Sequence, residues 1–139
     1  MKKSASILLF ILFFSCEVEE NTPSKAIDDD FDSSMATKLK MGTLVGIGGH
    51  TATGTATVYE EDGRKFVVLD PYESQNGPDL KVYLSKNINA NSYINLGPLK
   101  SIIGKQAYSV PGNPDINEYT YVHIWCEQYS VEFGRAALQ

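Results

Sequence analysis

Sulfur and imidazole are scarce in this chain: its 139 residues include two cysteines, two histidines and one tryptophan. The four thiol and imidazole groups, at positions 16, 50, 123 and 126, are too widely spread for the Cys/His-rich zinc modules, which place four such ligands at close spacing. Positive charge is short as well. The chain has 12 Lys and Arg against 17 Asp and Glu, a formal net charge of −5, and this balance excludes nucleic acid as a partner because no basic surface is available to meet phosphates. Beyond a turn or so near residues 98–103 no window repeats at helical spacing, which excludes a helical bundle. The apolar run Ile7–Phe14 is far shorter than the roughly 20 residues that span a bilayer, and no later segment replaces it.

What stands at the N-terminus has a definite order. In "MKKSASILLFILFFSC" two lysines precede the apolar run, which ends at Ser15 and Cys16. Basic, apolar, small is the order of a secretory leader. A leader that closes on a small residue and a cysteine resembles the lipobox of bacterial lipoproteins. That resemblance implies cleavage after residue 15, acyl chains of the palmitate kind on Cys16, and an extracytoplasmic domain held to a bacterial membrane, at the outer membrane or cell surface. Several acyl chains on one cysteine anchor firmly where a single chain does not.

Without Lys2 and Lys3 the basic side chains fall to 10 and the formal net charge to −7. Acids gather in "EVEE" from Glu17 and "DDDFD" from Asp28, with Asn, Thr, Pro and Ser between. Repelling like charges in polar company predict a disordered acidic tether over residues 16–36. Residues 37–139 then form one domain, since about 100 residues suit a single core.

That domain reads as all-β. "TATVYEEDGRKFVVLD" places two alternating runs, 55–59 and 66–69, around Asp62-Gly63, a strong hairpin signal. "DLKVYLS" sets Leu80, Val82 and Leu84 on one face and Lys81 and Tyr83 on the other. Further strands are expected at about 106–110, 119–126 and 129–134. The economical architecture is a single antiparallel β-sandwich or barrel-like domain. "LVGIGGHTATGTA" has glycines in number, but neither the dinucleotide nor the P-loop spacing. They are expected at turns and close packing points.

Candidate chemistry is confined to a few residues. His50, His123 and Cys126 are the only imidazole and thiol groups outside the leader. On a strand, period two sends residues 123 and 126 to opposite faces, so a metal site would need a bulge or help from His50 or Asp79. No metal is assigned, and each histidine is expected at the surface. No Gly-x-Ser-x-Gly elbow is present. Cys126 has no partner in the chain if Cys16 is acylated. It shares a strand face with Val122 and Ile124, whereas Tyr121, His123 and Trp125 share the other. Two readings stand: a small buried hydrophobe made inert by apolar surroundings, or a functional thiol at the rim of a sheet. Tyr121, Trp125 and Tyr129 also offer an aromatic face for ligand binding or adhesion, against cross-strand packing as the plain alternative.

The succession "GHTATGTATVY", "GRKFVVLD", "NGPDLKVYLS", "INLGPLKSIIGKQAYSVP" and "YTYVHIWCEQYSVEFGRAAL" resembles the electron-transfer DM-thirteen domain, found in animal cell-surface proteins and in bacterial lipoproteins. Gly77-Pro78-Asp79 before an alternating strand and Trp125-Cys126 before the last hairpin weigh most. The resemblance implies a β domain whose family cysteine, matched by Cys126, has been proposed to act as a bare redox thiol or to hold a group such as haem. For haem, His50 or His123 would be the further axial candidate, but the c-type Cys-x-x-Cys-His attachment is missing. The expected partner is a separate redox protein or another cell-surface protein, with the membrane reached through the N-terminal lipid. The expectation is an electron-transfer or binding module rather than a stand-alone enzyme.

Overall fold

The computed structural model describes residues 21–139; the leader and Cys16 lie outside the described residues. Nine strands form one sheet, with β1 Ile27–Asp28, β2 Thr37–Gly46, β3 Ala52–Glu61, β4 Arg64–Ser74, β5 Leu80–Ser85, β6 Tyr93–Pro98, β7 Gly104–Ser109, β8 Tyr121–Cys126 and β9 Val131–Ala137. Their order across the sheet is β1-β7-β4-β3-β2-β9-β8-β5-β6. All neighbours run antiparallel except β1 and β7. The sheet curls into a half-barrel and wraps its inner face around Val58, Val67, Leu69, Val82, Leu84 and Ile124, among others.

The expected hairpin forms around Asp62 (φ 51°) and Gly63 (φ 74°), the two positive dihedrals that a tight turn matching the strand twist requires. Its strands run longer than the expected 55–59 and 66–69, because an irregularity opposite Gly54 lets pairing resume at Gly54 and Tyr72. Pro71 sits at this irregularity, where a missing N–H costs no ladder bond. Residues 93–98 form the strand β6, and no helical turn follows it over residues 99–103. The last hairpin turns through 127–130, so β9 begins at Val131.

The curled sheet is closed at its seam by polar groups. Gln106 is fully buried. Its carboxamide accepts from Tyr108 Oη (2.5 Å) and Lys100 N (3.2 Å) and donates to the Ser101 carbonyl (2.9 Å). Leu99 N meanwhile donates to the Leu80 carbonyl at 2.8 Å. Thus the β6–β7 connection is tied to both flanks, and Tyr108 is held un-ionised well above the usual phenol range, chiefly by burial.

From Asn21 onward, the expected tether is instead laid along the domain. Strand β1 pairs with Gly104 and Lys105, and Phe31 sits 5.3 Å from the rings of both Tyr59 and Phe66. Asp29 Oδ2 accepts from Lys100 Nζ at 2.5 Å and from Ala107 N at 2.9 Å. Burial alone would raise this carboxyl, but those donors outweigh it and hold it below its ordinary value. The acidic run is therefore compensated by specific lysines and a backbone N–H, which a count of like charges in sequence does not reveal.

Gly104 tests this docking. Its φ is 109°, and a Cβ there would lie 2.0 Å from the Ile27 carbonyl oxygen. Gly104→Ala should cost about 1–3 kcal/mol and fall mainly on the N-terminal segment. Hydrogen exchange should show amides 27–29 losing protection while those of β5 and β8 keep theirs; unchanged protection at 27–29 would contradict the docking.

Candidate functional site

Strand β8 divides the site. Val122, Ile124 and Cys126 belong to the inner core, whereas Tyr121, His123 and Trp125 lie on the outer face, as period two dictates. The strand is central, paired to β5 through Leu80↔Cys126 and Val82↔Ile124 and to β9 on its other side. Both of its faces are covered.

Cys126 is fully buried. Its Sγ donates to the Pro78 carbonyl at 2.9 Å, and the next residue, Glu127, donates its N–H to the Asp79 carbonyl at 3.1 Å. Asp79 has φ 56°, so the chain bends sharply there and its carboxylate is left to pair with Lys81 Nζ at 2.6 Å. The Gly77-Pro78-Asp79 turn thus lies directly over the thiol. Gly77 is required by close approach, since a Cβ at that position would come within 2.6 Å of the Phe133 ring. On Phe133 stacks His50, with ring centroids 3.8 Å apart and planes within 9°. His50, the 77–79 turn, Phe133 and Cys126 therefore meet at one end of the half-barrel.

A second layer covers this turn. Asn21 bridges to Pro78, Asn76 Nδ2 donates to the Thr22 carbonyl at 2.8 Å, and Ile102 N donates to the Pro23 carbonyl at 2.9 Å. Between this strap and β5 opens a cleft of about 330 Å³, walled by Asn21, Thr22, Asp79, Leu80 and Lys81 among others. Two further clefts, of about 590 and 270 Å³, lie over the Gly54–Tyr72 irregularity and beside Thr51–Ser74. None of these three has Cys126, His50 or His123 in its wall.

His123 departs from the surface position expected of it and is fully buried. Its Nδ1 faces Glu132 Oε1 at 2.6 Å and its Nε2 lies 2.9 Å from Ser85 Oγ. The Ser85 hydroxyl donates to the Asn87 carbonyl at 2.6 Å, which leaves Nε2 as donor to Ser85. Arg135 Nη1 reaches the second Glu132 oxygen at 3.4 Å. Strict alternation would send Glu132 and Arg135 to opposite faces. An extra residue in β9, however, breaks the register between Ile124↔Gly134 and Trp125↔Glu132. The bulge turns Glu132 onto the outer face beside His123, where Arg135 already lies. Ser85, His123 and Glu132 have the connectivity of a hydrolytic triad, but Ser85 is fully buried and its proton is given to a carbonyl. No nucleophile is presented.

Trp125 is half-buried and stacks toward Tyr83, 6.0 Å away. Tyr121 lies 5.8 Å from the His123 ring, tilted, and Tyr129 is 58% exposed in the last turn. Among the described residues no three His, Cys, Asp or Glu side chains are grouped to hold a metal. Haem ligation does not fit the arrangement either: His50 stacks on Phe133, both His123 nitrogens are occupied on the opposite face of β8, and Cys126 Sγ faces a backbone carbonyl.

A protein-family model described as Electron transfer DM13 matches residues 45–138. The chain belongs to the DM13 family. Membership gives the domain a general role in electron transfer. Neither curated proteins nor solved structures return a match. All the residues that converge at the Cys126 end of the barrel, the strap 21–23 excepted, lie inside the DM13 match. The strap had no sequence signal, and neither did the Ser85–His123–Glu132 relay, because its formation depends on the bulge in β9.

Removing the imidazole from the relay tests its structural weight. His123→Ala would leave the buried Ser85 hydroxyl and the Glu132 carboxylate without their shared partner, at a cost of about 3 kcal/mol. Urea unfolding should show this loss with an unchanged denaturant slope. A loss within about 0.5 kcal/mol, the range of ordinary surface substitutions, would mean that the relay carries no stability.

Proposed function

We propose that this DM13 domain passes electrons outside the cytoplasm through the thiol of Cys126, with the protein held to a membrane by acyl chains on Cys16. The observation that carries the thiol reading is the contact from Cys126 Sγ to the Pro78 carbonyl. It joins the two stretches on which the family resemblance weighs most, Gly77-Pro78-Asp79 and Trp125-Cys126, in one place. Cys126 is the one free thiol among the described residues, so a disulfide within the domain is not its oxidised form.

The chemistry that fits one thiol is exchange with a separate partner. The Cys126 thiolate attacks a sulfur of the partner's disulfide; that S–S bond breaks, a Cys126–partner disulfide forms and the partner's other sulfur leaves as thiolate. A thiolate of a second, dithiol partner then attacks the Cys126 sulfur and frees the first partner as a dithiol; the second partner's other thiol closes that partner's own disulfide and releases Cys126, so two electrons pass from the second partner to the first. Because the thiol is covered, exchange requires the 77–79 turn and the strap over it to open. Both are connecting segments tied by few hydrogen bonds, whereas the β5–β8–β9 ladder beneath them is continuous. The extracytoplasmic site is supported by the leader pattern. No helix of the described residues is long and apolar enough to cross a membrane.

Native-state labelling of Cys126 with a maleimide tests the reading. Labelling should be slow but measurable without denaturant, at a rate set by local opening. Asn76→Ala, which unties the strap at Thr22 O, should speed it about fivefold to tenfold, the worth of a lost hydrogen bond of about 1 kcal/mol or slightly more. Protection that persists until the whole domain unfolds, with no effect of Asn76→Ala, would overturn the thiol mechanism.

A further inference from the structure

Three aromatic rings lie one against the next across the outer face of β6, β5 and β8. Tyr83 and Tyr93 have ring centroids 4.1 Å apart with planes within 14°, and Tyr83 and Trp125 are 6.0 Å apart within 18°. The register explains the column. Tyr83 stands opposite Asn95 on β6 and His123 on β8, so Tyr93 and Trp125 are its diagonal neighbours on the two flanking strands. The column runs from Tyr93, 46% exposed, through Tyr83, 3% exposed, to half-buried Trp125.

What sets Tyr83 apart is where its phenol points. Its Oη donates to Glu127 Oε1 at 2.5 Å, and Asn95 Nδ2 donates to the same oxygen at 3.0 Å. A carbonyl or hydroxyl would satisfy a buried phenol equally well; a carboxylate is in addition a base placed to take the proton. Burial first, and the neighbouring Glu127 second, keep the resting phenol protonated by raising it far above the usual range. Removing an electron from a phenol makes its proton strongly acidic. A phenol is therefore oxidised readily only when an adjacent base accepts that proton in the same step.

We propose that Tyr83 and Glu127 form a proton-coupled one-electron redox site, reached from solvent through the stacked ring of Tyr93. The step balances as follows: Tyr83–OH, the Glu127 carboxylate and a strong one-electron oxidant yield the neutral Tyr83 phenoxyl radical, Glu127 carboxylic acid and the reduced oxidant. The O–H bond of Tyr83 breaks, the new O–H bond forms on Glu127, and the electron leaves through Tyr93. Trp125 packs on the side of Tyr83 away from Tyr93 and shields the radical from water. This inference rests on the family's general electron-transfer role and not on the thiol, and a Cys126→Ser background separates the two.

The test uses the chain from residue 16 onward carrying Cys16→Ser and Cys126→Ser, so that no thiol is left, and a photogenerated ruthenium(III) polypyridyl complex as the oxidant. Transient absorption and freeze-quench electron paramagnetic resonance should show a neutral tyrosyl radical. Tyr83→Phe, which keeps the stack, should abolish most of the signal. Glu127→Gln keeps a hydrogen-bond acceptor but not a base, and should slow radical formation roughly 10²-fold, the lower end of what a positioned proton acceptor contributes. A signal of unchanged yield in Tyr83→Phe, or an unchanged rate in Glu127→Gln, would overturn the proposal. If Tyr83→Phe fails to fold by circular dichroism, the Glu127→Gln rate decides alone, because Glu127 belongs to the turn after β8 and not to the core.

Discussion

The structure depends on the burial of β8 on both faces. A strand covered on one side can hold its polar residues in water, but β8 must satisfy every polar group it turns either way. Its inner residues, Val122, Ile124 and Cys126, do so by being apolar or by giving a weak donor to a carbonyl. Its outer residue His123 does so only because Ser85 and Glu132 arrive on the neighbouring strands. Among the described residues no buried side-chain nitrogen or oxygen is left without a partner.

The same constraint governs the second buried polar group of size, Gln106. Its carboxamide binds the backbone of residues 100–101, and so a requirement of burial becomes the device that closes the curled sheet. Irregularities serve similar ends. The bulge in β9 delivers Glu132 to His123, and the irregularity between β3 and β4 accommodates Pro71 within an eleven-residue strand. Each is a local departure from period two that places one group where alternation would not.

Electron transfer by such a domain has to reconcile reactivity with burial. Cys126 lies under a turn and a strap, both tied by a handful of hydrogen bonds to a barrel end where His50, Phe133 and Gly77 are packed tightly. In the proposed thiol mechanism the rigid part holds the sulfur in place and the turn and strap govern access to it. On the outer face, the redox site proposed at Tyr83 would be reached by a different route, through ring contact with Tyr93 instead of opening. The Cys126 thiol and the Tyr83 phenol, the groups on which the two proposals rest, thus lie on opposite sides of the same pair of strands, β5 and β8.

Much of this could be read from residue order. Alternation in 80–84 and 121–126 specified which side chains face inward, Asp62-Gly63 specified the hairpin, and the lone cysteine could be placed among apolar neighbours, because these properties depend on residues adjacent in the chain. Long-range pairing decided the rest. His123 is buried because a bulge ten residues later turns Glu132 toward it, and the acidic segment docks because Lys100 and the Ala107 N–H meet Asp29 from more than 70 residues away. Sequence by itself determined a β domain with one inward thiol; only the tertiary structure decided what covers that thiol and what faces each buried polar group. Local patterns set the face a side chain takes, but its partner is set by strands brought together across the whole chain.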